Sequence, residues 1–88
     1  MKISDKFILK NVGGESMLLP INNDFMSVKN LITLNGTSLD IYTFLKDGLT
    51  KEEIVEQMLK NYDVDKETLE KDVNEVIQKF ISLGVLDV

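Results

Sequence analysis

The sequence contains no cysteine, no histidine and no tryptophan. Without cysteine there can be no disulfide, no thiolate nucleophile and no cysteine metal site. Without histidine the chain lacks the side chain most used as a general base and as a metal ligand. Carboxylates, lysines and hydroxyls remain, and their spacing assembles neither a catalytic constellation nor a metal set. The inventory argues against an enzyme: no catalytic residue, no metal and no cofactor are expected. Long apolar runs are also missing, and nothing approaches the ~20 residues of a membrane span. The start, Met1-Lys2-Ile3-Ser4-Asp5-Lys6-Phe7, carries an early acid and no apolar stretch, unlike a signal peptide. The expectation is a cytoplasmic protein with no membrane partner.

Basic charge is scarce too. Lys and Arg total 10 against 15 Asp and Glu, a net charge of −5. A nucleic-acid binder needs a basic footprint to neutralise phosphates, so the overall field disfavours a nucleic-acid partner. What is present is ordinary for a globular chain: 88 residues, 43% hydrophobic and 28% charged. That length predicts a single domain over residues 1–88. A domain of this size buries roughly 60–65% of the surface its unfolded chain exposes, enough for one compact core.

The chain divides into halves of different period. Phe7-Ile8-Leu9-Lys10-Asn11-Val12 reads as a strand ended by a Gly13-Gly14 turn, and Glu15 to Leu19 as its hairpin partner. Pro20, with no N–H to donate, stops the ladder. Asn22-Asn23-Asp24 is a turn cluster, and Leu31-Ile32-Thr33-Leu34 a short third strand, preceded by Lys29 and Asn30. Three short strands cannot close a barrel, so at least one edge stays open.

Helical punctuation follows. Asn35 or Thr37 can cap a first helix running to about Asp47, with Gly48 as its stop. Thr50-Lys51-Glu52-Glu53 is a capping box, with Leu49 and Ile54 placed as a hydrophobic staple; that helix runs to about Tyr62. Asp65 caps a third helix, with Val64 and Leu69 as its staple, and the helix ends at Gly84 before a packing tail, Val85-Leu86. Strands segregated from helices predict an α+β fold, a winged helix-turn-helix-like arrangement of a three-stranded antiparallel sheet followed by three helices.

The third helix carries more apolar surface than one contact needs. At 100° per residue Leu69, Val73, Val76 and Phe80 form a stripe that seats it, while Ile77 and Ile81 lie off its centre beside Glu70 and Asn74. They either join the core, the commoner role for such residues, or line a groove beside the third strand. A sheet edge next to an apolar helix flank is a design for peptide capture: the edge supplies main-chain hydrogen bonds and the flank supplies pockets. In that reading Leu31, Ile32 and Thr33 form the strand edge and Asn74, Ile77 and Ile81 the helix wall of a peptide-binding site. Lys66, Lys71 and Lys79, alternating with acids, read as a solvated face. Gly13-Gly14 lacks the Gly-Lys-Ser/Thr of a phosphate loop, and Asp63-Val64-Asp65 lacks the spacing of a calcium loop.

The run Leu34-Asn35, then Ile41-Tyr42, Leu45 and Gly48, resembles the signature of the PqqD-like proteins. Thr50-Lys51-Glu52-Glu53-Ile54-Val55 resembles the opening of their second helix. Tyr62-Asp63-Val64-Asp65, Asp72-Val73 and Leu83-Gly84-Val85-Leu86 resemble their ending. The likeness spans about Leu31 to Leu86 without a gap. Asp63 stands where Gly is more usual, and Gly36 departs from the common Pro or Glu. The resemblance implies a RiPP recognition element, which binds the leader region of a precursor peptide as an added strand. It implies a groove between the third strand and third helix, and a modifying enzyme as second partner, often a radical-SAM protein. The alternatives are a winged-helix DNA-binding regulator, which the acidic balance opposes, and a small subunit that docks on an enzyme.

Overall fold

A computed structural model describes residues 1–21 and 32–87. Its elements are β1 (Lys2–Ile3), β2 (Phe7–Val12), β3 (Glu15–Pro20), β4 (Ile32–Leu34), α1 (Gly36–Lys46), α2 (Lys51–Leu59), α3 (Lys66–Ser82) and β5 (Leu86–Asp87). The α+β architecture is the expected one, with β2, β3 and β4 in an antiparallel sheet in that order. The expected turn at Asn22-Asn23-Asp24, with Lys29, Asn30 and Leu31, lies outside the described residues.

The hairpin is built on its two glycines. Gly13 and Gly14 have φ of 60° and 85°, the pair of left-handed conformations a type I′ turn requires, and that turn matches the twist of paired strands. Val12 and Glu15 then face each other across the turn, and the register runs back to Phe7 opposite Pro20. Leu18 points from β3 into the core and is fully buried.

Each helix starts on a side-chain cap. Asn35, not Thr37, caps α1: its Oδ1 accepts from the Ser38 amide at 3.0 Å, and its own N–H donates to Ser38 Oγ at 2.9 Å. Thr50 Oγ1 accepts from the Glu53 amide at 3.2 Å while Glu53 Oε1 accepts from the Thr50 amide at 2.8 Å. Asp65 Oδ1 accepts from the Thr68 amide at 2.7 Å. The staple expected at α3 is loose, since Val64 stays 45% exposed. Leu49, in contrast, packs against the core.

The helix ends are equally specific. Gly48 N–H donates to Leu45 O and Leu49 N–H to Phe44 O, and Gly84 and Val85 repeat the pattern onto Ile81 and Phe80. These paired bonds satisfy carbonyls that a helix end leaves orphaned. Regular α2 stops at Leu59, short of the expected Tyr62. Tyr62 N–H still reaches Met58 O, and its hydroxyl donates to Asp40 Oδ2 at 2.6 Å, tying the turn to α1.

The three helices close on one core, in which Tyr42 and Phe80 meet edge to face with ring centroids 6.3 Å apart. The tail does more than pack. It forms β5, which pairs antiparallel with β1 (Ile3 opposite Leu86), and the Ser4 amide donates to Val85 O at 2.8 Å. Two-residue strands carry no periodicity, so this second sheet was not legible in the sequence. Among the described residues no helix is long and apolar enough to cross a membrane.

Two predictions follow from the caps. Thr50→Ala removes the α2 cap and should cost about 1 kcal/mol in denaturant unfolding, with peptide affinity per folded molecule unchanged. Asp65 is held below the usual carboxylate range by hydrogen bonds from the Thr68 side chain and amide. A depressed folded-state pKa stabilises above the unfolded value and loses that stabilisation as pH falls through the folded one. The melting-temperature gap between parent and Asp65→Ala should be flat above about pH 5 and narrow below about pH 4. A gap independent of pH would mean the carboxylate is not the cap.

Candidate functional site

The register decides which backbone groups the sheet leaves free. Ile21 N–H donates to Lys6 O at 3.0 Å, marking that pair as hydrogen-bonded. Bonded and non-bonded pairs alternate along an antiparallel ladder. Lys10 and Met17 are therefore bonded, and β3 turns the backbone groups of Ser16 and Leu18 toward β4. Their partners there are Leu34 and Ile32. Thr33 sits opposite Met17 in the non-bonded pair, so its N–H and C=O point out of the sheet. Among the described residues β4 is the last strand, and none of them pairs with that side. The next residue offers nothing: Asn35 N–H is held by Ser38 Oγ and its C=O by the Leu39 amide. Among the described residues of this edge, Thr33 alone presents both a free donor and a free acceptor.

Side chains alternate accordingly. Ile32 and Leu34 face the helices, the first half-buried and the second buried, while the Thr33 side chain is exposed on the far face. Beside the edge lies a groove of about 290 Å³. Its floor and strand side are Ile32, Thr33 and Leu34, its end is the start of α1 at Asn35, Thr37 and Ser38, and its helix wall is Asp72, Glu75, Val76, Lys79 and Phe80. The wall is apolar at Val76 and charged around it. Among the described residues no buried side-chain nitrogen or oxygen lacks a hydrogen-bond partner.

Two of the residues expected at the site, Ile32 and Thr33, line this groove; Leu31 lies outside the described residues. The expected helix wall is displaced. Ile77 is a core residue, 3% exposed, and Ile81 is half-buried against the core. Asn74 accepts from Lys51 Nζ at 3.1 Å, which turns its flank toward the start of α2. On the helical wheel Asn74, Ile77 and Ile81 fall about 140–200° from Asp72, while Val76 and Lys79 fall within about 40° of it. The groove thus borders the opposite flank of the same helix. Periodicity reported a wide apolar arc but not which border faces the sheet and which faces α2. The signal that could have found the wall was the mixed face itself, Asp72, Glu75 and Lys79 around Val76.

A larger hollow, of about 390 Å³, lies between β1 and the C-terminal end of α1, lined by Ile3, Ser4, Phe7, Tyr42 and Lys46 among others. It borders no part of β4. The two tyrosines with shifted hydroxyls also stand apart from the groove: burial pushes Tyr42 up, and the hydrogen bond to Asp40 pushes Tyr62 up. β2 forms the other edge of the sheet, and its Ile8 and Val12 are exposed.

This arrangement has a close counterpart. A solved structure described as TbiB1 in complex with the TbiA(beta) leader peptide superposes with a TM-score of 0.81 over 99% of this chain and 95% of that one, at 26% identity. No protein of curated function matches the chain. The sequence model of the family described as coenzyme PQQ synthesis protein D (PqqD) matches residues 15–86, from β3 through the last strand. The chain belongs to the PqqD family.

Proposed function

We propose that this chain binds the leader segment of a ribosomally made precursor peptide as an added strand on β4 and presents it to a modifying enzyme. The observation that carries the reading is the outward N–H and C=O of Thr33 beside a groove walled by α3. Strand addition needs both parts: main-chain groups in register for affinity and side-chain pockets for choice. The similarity to TbiB1, solved with a leader peptide bound, supports it. In this reading the protein performs no chemistry itself; it acts in the cytoplasm and hands the peptide to an enzyme of the radical-SAM class. Ile32 and Thr33 form the strand side of the site and Val76 its apolar helix wall.

Three substitutions test the reading, with a peptide selected from a displayed library for binding to the parent as the probe in titration calorimetry. Thr33→Pro removes an N–H that has no partner in β3, so the fold should persist. Affinity should fall roughly two- to tenfold, the worth of one hydrogen bond. Binding as tight as the parent's would mean the edge is not used.

Val76→Glu and Ile77→Glu are neighbours with opposite expectations. Val76 is half-buried on the groove wall, so a glutamate there should reduce peptide affinity and leave the melting temperature near the parent's. Ile77 is core, and burying an unpaired carboxylate costs several kcal/mol, enough to unfold a domain this small. If Val76→Glu also unfolds, or binds normally, the wall is misassigned. Binding should also persist as salt is raised, whereas a duplex-DNA complex would weaken steeply.

A further inference from the structure

The groove beside β4 is electrically polar along its length. Asp72, Glu75, Val76 and Lys79 of α3 all line it. At 1.5 Å rise per residue, Asp72 and Lys79 stand about 10 Å apart along the helix, and at 100° per residue they point within about 20° of each other. Their charges are not cancelled within the helix to the same degree as others. Glu75 has a lysine four residues away on each side, Lys71 and Lys79, the spacing at which opposite charges on a helix meet. Asp72 has Thr68 and Leu69 before it and Glu75 and Val76 after it at those spacings, and none is a cation. Lys71 also has Glu67 four residues before it, so Glu75 is left to Lys79, the one cation among the described residues lining the groove, and Asp72 leaves negative charge unmatched at the other end.

The strand edge cannot by itself tell a peptide which way to run. Thr33 offers one donor and one acceptor, and one such residue pairs with a peptide strand in either direction. Direction has to come from side chains. We infer that the groove selects a dipolar peptide strand, with a lysine or arginine set against Asp72, an apolar residue against Val76 and Ile32, and an aspartate or glutamate against Lys79, and that this order of charges fixes the peptide's direction. The inference rests on the strand-addition reading above. A peptide strand rises about 3.3 Å per residue, and alternate residues face the same side. The groove-facing residues are therefore at i, i+2 and i+4, spanning about 13 Å, and the long lysine and arginine side chains close the difference from 10 Å. The sequence class is cation–x–apolar–x–anion, or its reverse according to the direction in which the peptide lies.

The test is a displayed library of twelve-residue peptides with a fixed central leucine and random flanks, selected on three proteins. These are the parent, the exchange variant Asp72→Lys with Lys79→Glu, and Thr33→Pro. The exchange leaves the net charge at −5, so any change reports the groove and not the overall field. Both positions are reached without disturbing the core, since both are exposed; Asp72→Asn serves as a second variant should the exchange melt early. Peptides enriched on the parent should carry a cation on one flank of the leucine and an anion on the other. A peptide selected on the parent should lie in the opposite direction on the exchange variant, read from which end of β4 a spin label at the peptide's N-terminus broadens. A selected peptide should lose roughly two- to fivefold in affinity for each mismatched charge, with the difference shrinking at high salt. Asp72→Asn should lose only the preference for the cation.

Enrichment without opposite charges on the two flanks, or an unreversed label position on the exchange variant, overturns the charge inference. If those peptides nevertheless bind the parent and weaken roughly two- to tenfold on Thr33→Pro, strand addition itself stands. Failure to enrich any peptide that depends on Thr33 overturns both.

Discussion

The structure depends on the parity of one antiparallel ladder. The two-glycine turn at Gly13 and Gly14 closes Val12 against Glu15, and every pairing beyond it follows two residues at a time. That parity sends Leu18 to the core, turns the Ser16 and Leu18 main chain toward β4 and points the Thr33 main chain out of the sheet. A slip of one residue between β3 and β4 would reverse the last: the Thr33 groups would be consumed in the sheet, and Leu34 would be carried to the solvent face. The core resists the slip, because Leu18 and Leu34 are buried among the helices. Packing energy, which is indifferent to peptide binding, therefore holds the open edge in the state that strand addition needs.

The helices serve that edge by where they stop and start. Asn35 follows β4 directly and caps α1, so its backbone groups are taken up by Ser38 and Leu39 and the usable edge ends at Thr33. α3 is anchored by Leu69, Val73, Ile77 and Phe80 on its inner face, with Phe80 set against Tyr42. That anchoring leaves the Asp72 to Lys79 flank standing along the groove. The site is thus a by-product of core packing on one side and of helix capping on the other. In the proposed reading its recognition groups are backbone and partly exposed side chains, for which an inventory without histidine or cysteine suffices.

The sequence carried a great deal of this. The Gly13-Gly14 hairpin, the caps at Thr50 and Asp65 and the glycine stops were readable because each rests on neighbours within about five residues, and the α+β order and the motif resemblance to the PqqD family are successions of such local signals. Composition also spoke against a nucleic-acid partner, since net charge needs no fold. Even the association of the third strand with the third helix was within reach of pattern reasoning.

Other features were decided only by the tertiary structure. The β1–β5 pairing joins residues more than eighty apart through strands too short to show a period. The flank of α3 that borders the groove depends on the angle at which the helix lies against both α2 and the sheet. A wheel gives the width of an apolar arc and no more, so it could not tell that Asn74, Ile77 and Ile81 lie on the flank of α3 away from the groove beside β4. Whether the Thr33 N–H points outward depends on a count of hydrogen-bonded pairs that begins at another strand's turn. Local propensity acts along the chain, whereas face and parity are relations between segments and take their values only when the segments meet.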